Sequence, residues 1–374
     1  MTERGRTDVA TKEKQLKEPL FHIAKRSDIS LAKAMLFRVI AVVAAILLCS
    51  FLSIFLIGAD PIEFLTTMFE GAIGTPRNIW KLFKDSAVLL CIALAITPAF
   101  RMRFWNIGAE GQVLIGALAS VAVVFYFGES LPNWMLLILM LIAAIVAGAI
   151  FGVIPASFKA KWGTNETLFT LMMNYIAAQL VKYFISIWVP SGNSTLDEFT
   201  TGHLPTLGHE YLLLILVVLA LTVAVYVYLN RTKQGYEISV VGESENTARY
   251  VGINVGKVIV RTMLVSGAIC GLAGFLIVGA LDHSVRETTV GGLGFTAIMV
   301  SWLAKFNPFV MIGTATFITF LSRGAEQITT RFDISSAFPN MVIGIVLFFI
   351  IGCEFFISYS LKFRNAHNKG GSKE

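Results

Sequence analysis

A small group of polar side chains stands beside or inside long apolar stretches of this sequence. Asn106, Glu110 and Gln112 follow one another closely, and Asn174 interrupts the apolar run that begins at Thr167. An amide or ionisable group in hydrocarbon is costly, so such groups usually face a protein interior or a water path. The chemistry they offer is hydrogen bonding to a passing solute. We therefore interpret all four as candidate substrate-pathway residues.

Two of these residues also have a simple structural interpretation. Glu110 shares a helix face with Asn106, four residues earlier, but a carboxylate in a first helical turn is also stabilised by the helix dipole. Asn174 would equally well make a hydrogen bond between helices. Asn165 is expected to cap the helix that carries Asn174. The sequence leaves both alternatives open.

Aromatic side chains in the apolar runs offer flat faces on which a planar or cyclic solute could stack. Trp302 and Phe295 are the pathway candidates of this type, with Tyr175 and Phe169 as further examples. Aromatic residues in membrane helices also serve for packing and for contact with lipid, and the sequence does not separate these roles.

The sequence lacks the residue patterns of common catalytic and metal sites. It has no GxxxxGK[ST] phosphate loop, no HExxH pair and no evident Ser-His-Asp set. The 4 cysteines lie in apolar runs without CxxC spacing, and the 5 histidines are scattered. We expect no catalytic residue, no metal and no bound cofactor. If ATP drives this protein, partner subunits must hydrolyse it.

Membrane helices must position these residues. The 374 residues are 56% hydrophobic and only 14% charged, and the mean hydropathy is +0.73. Soluble domains contain about 25% charged residues. The net charge of +6 comes from Lys and Arg in short segments between apolar runs. This placement favours membrane orientation by the positive-inside rule over nucleic-acid binding.

The apolar runs predict an all-α, polytopic transmembrane helical bundle of about ten spans, with eight to ten as the range. The candidate runs are Val39–Ile57, Ser86–Phe100, Gly111–Gly128, Ser130–Phe158, Thr167–Val181, Tyr211–Asn230, Thr262–Leu281, Thr288–Ala304, Phe306–Ser322 and Ile334–Cys353. Residues 60–85 are too charged to cross and are predicted to form an amphipathic segment on the outer surface or a plain loop.

The distribution of Lys and Arg predicts that both termini are cytoplasmic. We expect residues 1–34 to form an N-terminal tail, residues 35–361 the transmembrane domain and residues 362–374 a C-terminal tail. The first apolar run would then be an uncleaved anchor.

Residues 231–261 form the longest polar connection, which the orientation places in the cytoplasm. Tyr236–Gly242 is predicted to be extended or turning. Ser244–Val251 is predicted to be a short helix, capped by Ser244 and stopped by Gly252. A compact knob of this kind fits a cleft on a partner protein; the alternative is a solvated loop.

Four stretches, in order along the chain, resemble one family of proteins. They are WNIGAEGQVLIGA (105–117), TNETLFTLMMNYIA (164–177), ARYVGINV (248–255) and LVSGAICGLAGF (264–275). The sequence is similar to the permeases of ATP-binding cassette importers that serve simple sugars and nucleosides, and most similar to the nucleoside permeases. The likeness extends over roughly residues 38–362. Trp105 is a departure, because the family usually has Phe there.

The resemblance implies a membrane-spanning permease subunit that imports nucleosides by alternating access, powered by separate ATPase subunits. It implies a cassette ATPase, a second identical or homologous permease and an extracellular solute-binding lipoprotein as partners. It also implies a set of residues that couple the permease to the ATPase. These are Gly242, Glu243, Ala248, Arg249, Gly252, Ile253 and Asn254.

Two alternatives remain at this stage. The same machinery could import a simple sugar such as ribose, since the family serves both classes of solute. An ion-coupled secondary transporter is the second alternative, but it would favour a pair of intramembrane acids, and Glu110 has no evident acidic partner in the sequence.

Overall fold

The computed structural model describes residues 21–25, 31–58, 60–189, 196–335 and 337–363, which are almost entirely helical. The helices are α1 (Leu31–Ile57), α2 (Pro61–Ile73), α3 (Pro76–Arg101), α4 (Ala109–Phe127), α5 (Asn133–Trp162), α6 (Glu166–Trp188), α7 (Leu212–Arg231), α8 (Lys233–Glu243), α9 (Glu245–Tyr250), α10 (Val255–Ile277), α11 (Leu293–Leu303), α12 (Pro308–Phe332) and α13 (Phe338–Ser358). A π-helical turn, Val278–Asp282, extends α10, and two strands, β1 (Phe21–Lys25) and β2 (Tyr359–Phe363), flank the helices.

Among the described residues, 7 helices are long and apolar enough to cross a membrane: α1, α4, α5, α6, α7, α10 with its π-helical turn, and α13. The all-helical membrane fold is confirmed, and the count of ten spans is not. The run Thr288–Ala304 does not form one helix, because helical structure begins only at Leu293 and α11 has 11 residues.

The runs Ser86–Phe100 and Phe306–Ser322 fall within α3 and α12. Each of these helices also carries charged residues, such as Lys84 on α3 and Arg323 on α12. Arg323 forms an ion pair with Asp85, which joins the two helices. Both helices are nevertheless long, with 26 and 25 residues.

The helices divide into two compact units, residues 65–339 and a smaller unit formed by the residues before and after them. In the larger unit every residue of α3 from Ser86 to Phe100 is buried. Helix α10 packs closely on α5 and α4 through glycines. A Cβ atom on Gly116 would lie 2.6 Å from the Gly271 Cα atom, and one on Gly271 would overlap the Ala144 carbonyl oxygen. Small residues are what allow helix backbones to approach this closely in membranes.

Helix α2 is amphipathic, as the charge pattern of residues 60–85 predicted. Met68 and Ala72 are fully buried, whereas Phe69 and Ile73 are about half exposed. The position of this helix on the outer surface stays a prediction.

In the smaller unit, β1 and β2 pair in antiparallel register, with Phe21 opposite Phe363. Arg38 on α1 forms an ion pair with Glu354 on α13 at 3.0 Å. The strand pair brings the segment before α1 next to the segment after α13. Most of the two predicted tails, residues 1–20, 26–30 and 364–374, lies outside the described residues.

Candidate functional site

Glu110, in the first turn of α4, holds the start of α11. Its two carboxylate oxygens accept hydrogen bonds of 2.7 Å from the backbone N–H groups of Gly292 and Gly294. The first N–H groups of a helix have no partner within the helix, and Gly292, with φ of 83°, provides no side-chain cap. Glu110 therefore caps α11 from another helix, and its negative charge suits the positive end of the α11 dipole.

This contact needs a glycine at position 294. A Cβ atom there would lie 2.6 Å from the Glu110 backbone nitrogen and 2.8 Å from its Oε2 atom. The close approach of α11 to α4 thus depends on the GGLG sequence at 291–294, a signal that sequence reasoning missed.

Asn106 and Gln112 form a buried amide pair in the break between α3 and α4. The Gln112 Nε2 group donates to Asn106 Oδ1 at 3.2 Å, and the Asn106 Nδ2 group donates to Gln112 Oε1 and to Ser266 Oγ, both at 3.3 Å. Neither side chain is more than 1% exposed. The two predicted residues are indeed brought together, and Ser266 of α10 is a partner that the sequence did not reveal.

Asn174 lies on α6 and forms hydrogen bonds with the backbone at the break between α3 and α4. Its Oδ1 atom accepts from the Gly111 N–H at 2.8 Å, and its Nδ2 group donates to the Ile107 carbonyl at 2.9 Å. One turn earlier, the Thr170 hydroxyl accepts from the Ile107 N–H at 3.2 Å. Both the oxygen and the nitrogen of the Asn174 amide are thus bonded to backbone groups, as expected if Asn174 only joins two helices. A role of Asn174 in the solute path stays a prediction.

The aromatic candidates on α11 share one exposed face. Phe295 and Trp302 are 42% and 50% exposed, seven residues apart and therefore about two turns apart on one side. The Trp302 ring lies 5.4 Å from the Trp105 ring, which is itself 42% exposed. This places Trp105, the residue that departs from the family, beside a predicted pathway residue.

The segment 231–261 is fully structured. The prediction that Tyr236–Gly242 is extended or turning is wrong, because these residues belong to the helix α8. The Thr232 side chain caps this helix by accepting a hydrogen bond of 3.1 Å from the Gly235 N–H. A side chain at Gly242 would overlap the Arg101 carbonyl oxygen, so glycine allows α8 to pack against the end of α3. Close packing on α3 stabilises a helix that local sequence does not indicate.

The predicted short helix is confirmed as α9. Ser244 accepts from the Thr247 N–H at 3.2 Å, and Gly252 follows with φ of 80°, a left-handed value that favours glycine. The Ile253 N–H then donates to the Ala248 carbonyl at 2.9 Å, and Asn254 caps α10 through the Lys257 N–H at 3.0 Å.

Comparison with known proteins bears on this arrangement. Residues 78–351 match the family model described as the permease component of the branched-chain amino acid transport system. The chain is 30% identical over 307 residues to the guanosine ABC transporter permease protein NupP of Bacillus subtilis, covering 80% of this chain and 86% of that protein. It is 29% identical over 319 residues to a glucose ABC transporter permease protein of Haloferax volcanii, covering 81% and 83%. It is 27% identical over 309 residues to the nucleoside ABC transporter permease protein NupB of Lactococcus lactis, covering 78% and 84%.

The chain belongs to this family of ABC permease components. It is the membrane-spanning subunit of an ABC importer and a multi-pass protein of the cytoplasmic (inner) membrane. As a transport subunit it is not an enzyme.

The residues predicted to couple the permease to an ATPase fall into two groups by their burial. Gly242 and Ala248 are buried and Ile253 is half-buried, so these three shape the α8–α9 knob, which we define as residues 233–254. Glu243, Arg249, Gly252 and Asn254 are exposed and available to a partner. Arg249 forms an ion pair with Glu245, at 3.6 Å on the same short helix.

Sequence reasoning missed a strongly exposed aromatic side chain of the knob. Tyr250 is 92% exposed and Val251 beside it is 62% exposed, at the tip between α9 and Gly252. An aromatic ring presented in this way is typical of contact residues in protein interfaces. The signal was available in the sequence, because Tyr250 and Val251 are apolar residues within a polar connection.

At the opposite end of α10, two histidines join the permease's α6–α7 connection to the π-helical turn. His203 Nε2 donates to the Phe199 carbonyl at 2.8 Å, so its Nδ1 atom accepts from His283 Nε2 at 3.2 Å. Burial and the neighbouring His203 lower the pKa of His283 below its ordinary value of 6.5. The neutral form of the His283 ring is therefore favoured.

Proposed function

We propose that this permease imports nucleosides. Two of the relatives above carry guanosine or nucleoside in their names, and the exposed rings of Trp105, Trp302 and Phe295 suit a solute with a planar base. The observation that carries the proposal is the 30% identity to a guanosine permease over 80% of the chain.

The permease would work as one of a pair, with a second identical or homologous permease completing the solute path. Separate ATPase subunits would bind the α8–α9 knob on the cytoplasmic side, and an extracellular lipoprotein would deliver the nucleoside. Both ends of the chain would be cytoplasmic, in keeping with β1 and β2 lying on one side. Nucleotide-driven closure of the ATPases would then switch the path between its two open states.

The knob is suited to transmit such motion. Its helix α8 is tied to α10 by the Glu237–Arg261 ion pair at 2.8 Å and packs on the end of α3 at Gly242. Both α3 and α10 are buried core helices. A displacement of the knob therefore moves the helices that carry the breaks before α4 and α11.

The proposal is tested by extracting the tagged permease from its native membrane in mild detergent. Mass spectrometry should recover a cassette ATPase and a solute-binding lipoprotein, and the lipoprotein's bound ligand should be a nucleoside. Uptake of labelled guanosine should stop when ATP is depleted.

A simple sugar is the second candidate, because a glucose permease is 29% identical over 319 residues. Recovery of a lipoprotein loaded with a sugar would decide for it. Uptake that ignores ATP depletion but collapses with an ionophore would contradict the importer assignment and indicate an ion-coupled transporter.

A further inference from the structure

We propose that the cavity between α8 and α10 binds a phosphate group at the surface of the membrane, either that of a lipid headgroup or that of a soluble phosphate compound. This inference goes beyond the proposed function, because it assigns the permease a ligand that is not the imported solute. None of the sequence patterns above pointed to this cavity.

The cavity lies between two helices and the turn that leads into the second. Helix α8 contributes Lys233 and Glu237, α10 contributes Lys257 and Arg261, and the turn at residues 251–254 completes the lining. Its volume is about 470 Å³, which lies within the usual range for small-molecule sites, about 300–1,000 Å³. Charged side chains therefore approach one space from two separate elements.

The lining of the cavity carries an excess of positive charge. The Arg261 Nη2 and Glu237 Oε2 atoms lie 2.8 Å apart, so these two charges offset one another. Lys233 and Lys257 are both exposed, and neither ammonium group forms an ion pair or a hydrogen bond with any residue that the structure describes. Three cations and one carboxylate leave a net charge of +2, and this charge attracts an anion.

The cavity stands at the level of the lipid headgroups. The uncharged run Thr262–Leu281 begins directly after Arg261, and the run Tyr211–Asn230 ends three residues before Lys233. Each run is long enough for one crossing of the hydrocarbon layer. The cations on both sides of the cavity therefore lie just beyond that layer, where the phosphate groups of phospholipids are located.

A phosphate group matches this lining in charge and in hydrogen-bonding chemistry. Lysine binds phosphate as a point charge, and the planar fork of arginine donates two parallel hydrogen bonds to it. Basic pockets between membrane helices are known to hold the headgroups of anionic lipids. Tyr236, which also lines the cavity and is 65% exposed, is of a residue type enriched where membrane meets water. These features favour a lipid as the source of the phosphate.

A bound phosphate would join the knob to the membrane core. Lys233 stands on α8, the first helix of the knob, and Lys257 stands on α10, a buried core helix. One anion between the two ammonium groups would add to the contact that Glu237 and Arg261 already make across the same space. The ligand would therefore stabilise the position of the knob on α10.

The experiment measures ligand binding to the complete transporter, delipidated in detergent, without solute or ATP. The probes are short-chain phosphatidylglycerol, short-chain phosphatidylcholine and inorganic phosphate, and the readout is the dissociation constant from titrated thermal shifts. Phosphatidylglycerol should bind more tightly than phosphatidylcholine. Lys233→Gln and Lys257→Gln should each weaken its binding by about fivefold, as the loss of one lysine near an anionic headgroup predicts. Lys161→Gln, at the exposed end of α5 and outside the cavity, is the matched control and should leave the affinity unchanged.

A second variant separates a binding role from a structural one. Glu237→Gln removes the negative charge from the lining and releases the Arg261 guanidinium group from its ion pair. Binding of phosphatidylglycerol should therefore tighten by about fivefold. Loss of the same ion pair should lower the melting temperature in the absence of lipid. A purely structural role of these charges would give the lower melting temperature without the tighter binding.

The outcomes distinguish the sources of the phosphate. Saturable binding of inorganic phosphate that depends on both lysines, with no preference for phosphatidylglycerol, would confirm the phosphate site and assign it to a soluble compound. Affinities for all three probes that are unchanged in both lysine variants would overturn the site. Loss of the ATPase from Lys233→Gln and Lys257→Gln, with lipid binding unchanged, would overturn it by showing that the cavity belongs to the ATPase interface. No solute enters these measurements, so they leave the proposed import of nucleosides untouched.

Discussion

The Glu110 carboxylate lies 2.7 Å from the Gly294 backbone nitrogen, 184 residues further along the chain, and caps a helix that has no cap of its own. Removing this carboxylate leaves two N–H groups of α11 without an acceptor. Each buried unsatisfied donor costs about 1–3 kcal/mol. The contact therefore fixes where α11 begins.

We expect Glu110→Leu to lower the thermal stability of the purified permease more than Glu110→Gln does. Glutamine retains one acceptor oxygen, whereas leucine retains none. Melting temperatures in detergent, followed by size-exclusion fluorescence, would measure the order. Glu129→Gln, at an exposed glutamate just after α4, is the control and should change nothing. Equal melting temperatures for the wild type and Glu110→Leu would contradict the capping role.

Asn174→Leu should reduce the yield of folded permease. The substitution removes both hydrogen bonds to the break before α4, to the Gly111 N–H and the Ile107 carbonyl. Asn174→Asp keeps the acceptor alone and should be intermediate. The measurement is the monodisperse fraction after detergent extraction. A full yield of Asn174→Leu with an altered ranking of solutes would instead support the pathway role.

Arg249→Glu should weaken ATPase binding without destabilising the permease. The Arg249 side chain is 67% exposed, and among the described residues it pairs with Glu245 of the same helix at the surface, an interaction of a kind that contributes at most about 1 kcal/mol. Co-purification of the ATPase should fall while the melting temperature stays constant. Lys161→Glu, at the exposed end of α5, is the charge-matched control. Gly252→Trp should have the same effect on binding, because Gly252 is exposed and its φ of 80° is strained for other residues.

Acid should loosen the contact between the described part of the α6–α7 connection and the π-helical turn. The pKa of His283 is lowered in the folded protein from its ordinary value of 6.5. As the pH falls below 6.5, the unfolded state therefore binds more protons than the folded state, and the free energy of unfolding decreases until the pH reaches the lowered pKa. His203, Glu198 and Glu210 are the titratable groups that face it. The protection factors of residues 196–204 against hydrogen exchange, which are corrected for the intrinsic effect of pH on the exchange rate, should fall between about pH 7.5 and about pH 5, and His283→Gln should abolish this fall. Protection factors that are independent of pH in the wild type would contradict the argument.

The sequence was informative wherever a local pattern decided the structure. Long apolar runs predicted the helices, and Ser244 and Gly252 correctly bounded α9 because caps act on adjacent backbone. Asn106 and Gln112 were correctly grouped because they are only six residues apart, one in the break before α4 and the other in the first turn of α4.

The failures share a physical cause, which is dependence on distant residues. The run Thr288–Ala304 was predicted as one helix, but its first part is held open by Lys182 and Glu110, which lie far away in the sequence. The helix α8 was missed because contact with the Arg101 carbonyl, not local propensity, favours it.

The pairing of β1 with β2 sets an order of events during synthesis of the chain. The ribosome releases Phe21–Lys25 early and Tyr359–Phe363 only after the helices α1 to α13 have been made. Until then β1 is an unpaired edge, which invites pairing with other chains. A nascent chain arrested before residue 359 keeps that edge open, so this two-stranded sheet closes only after α13 has left the ribosome.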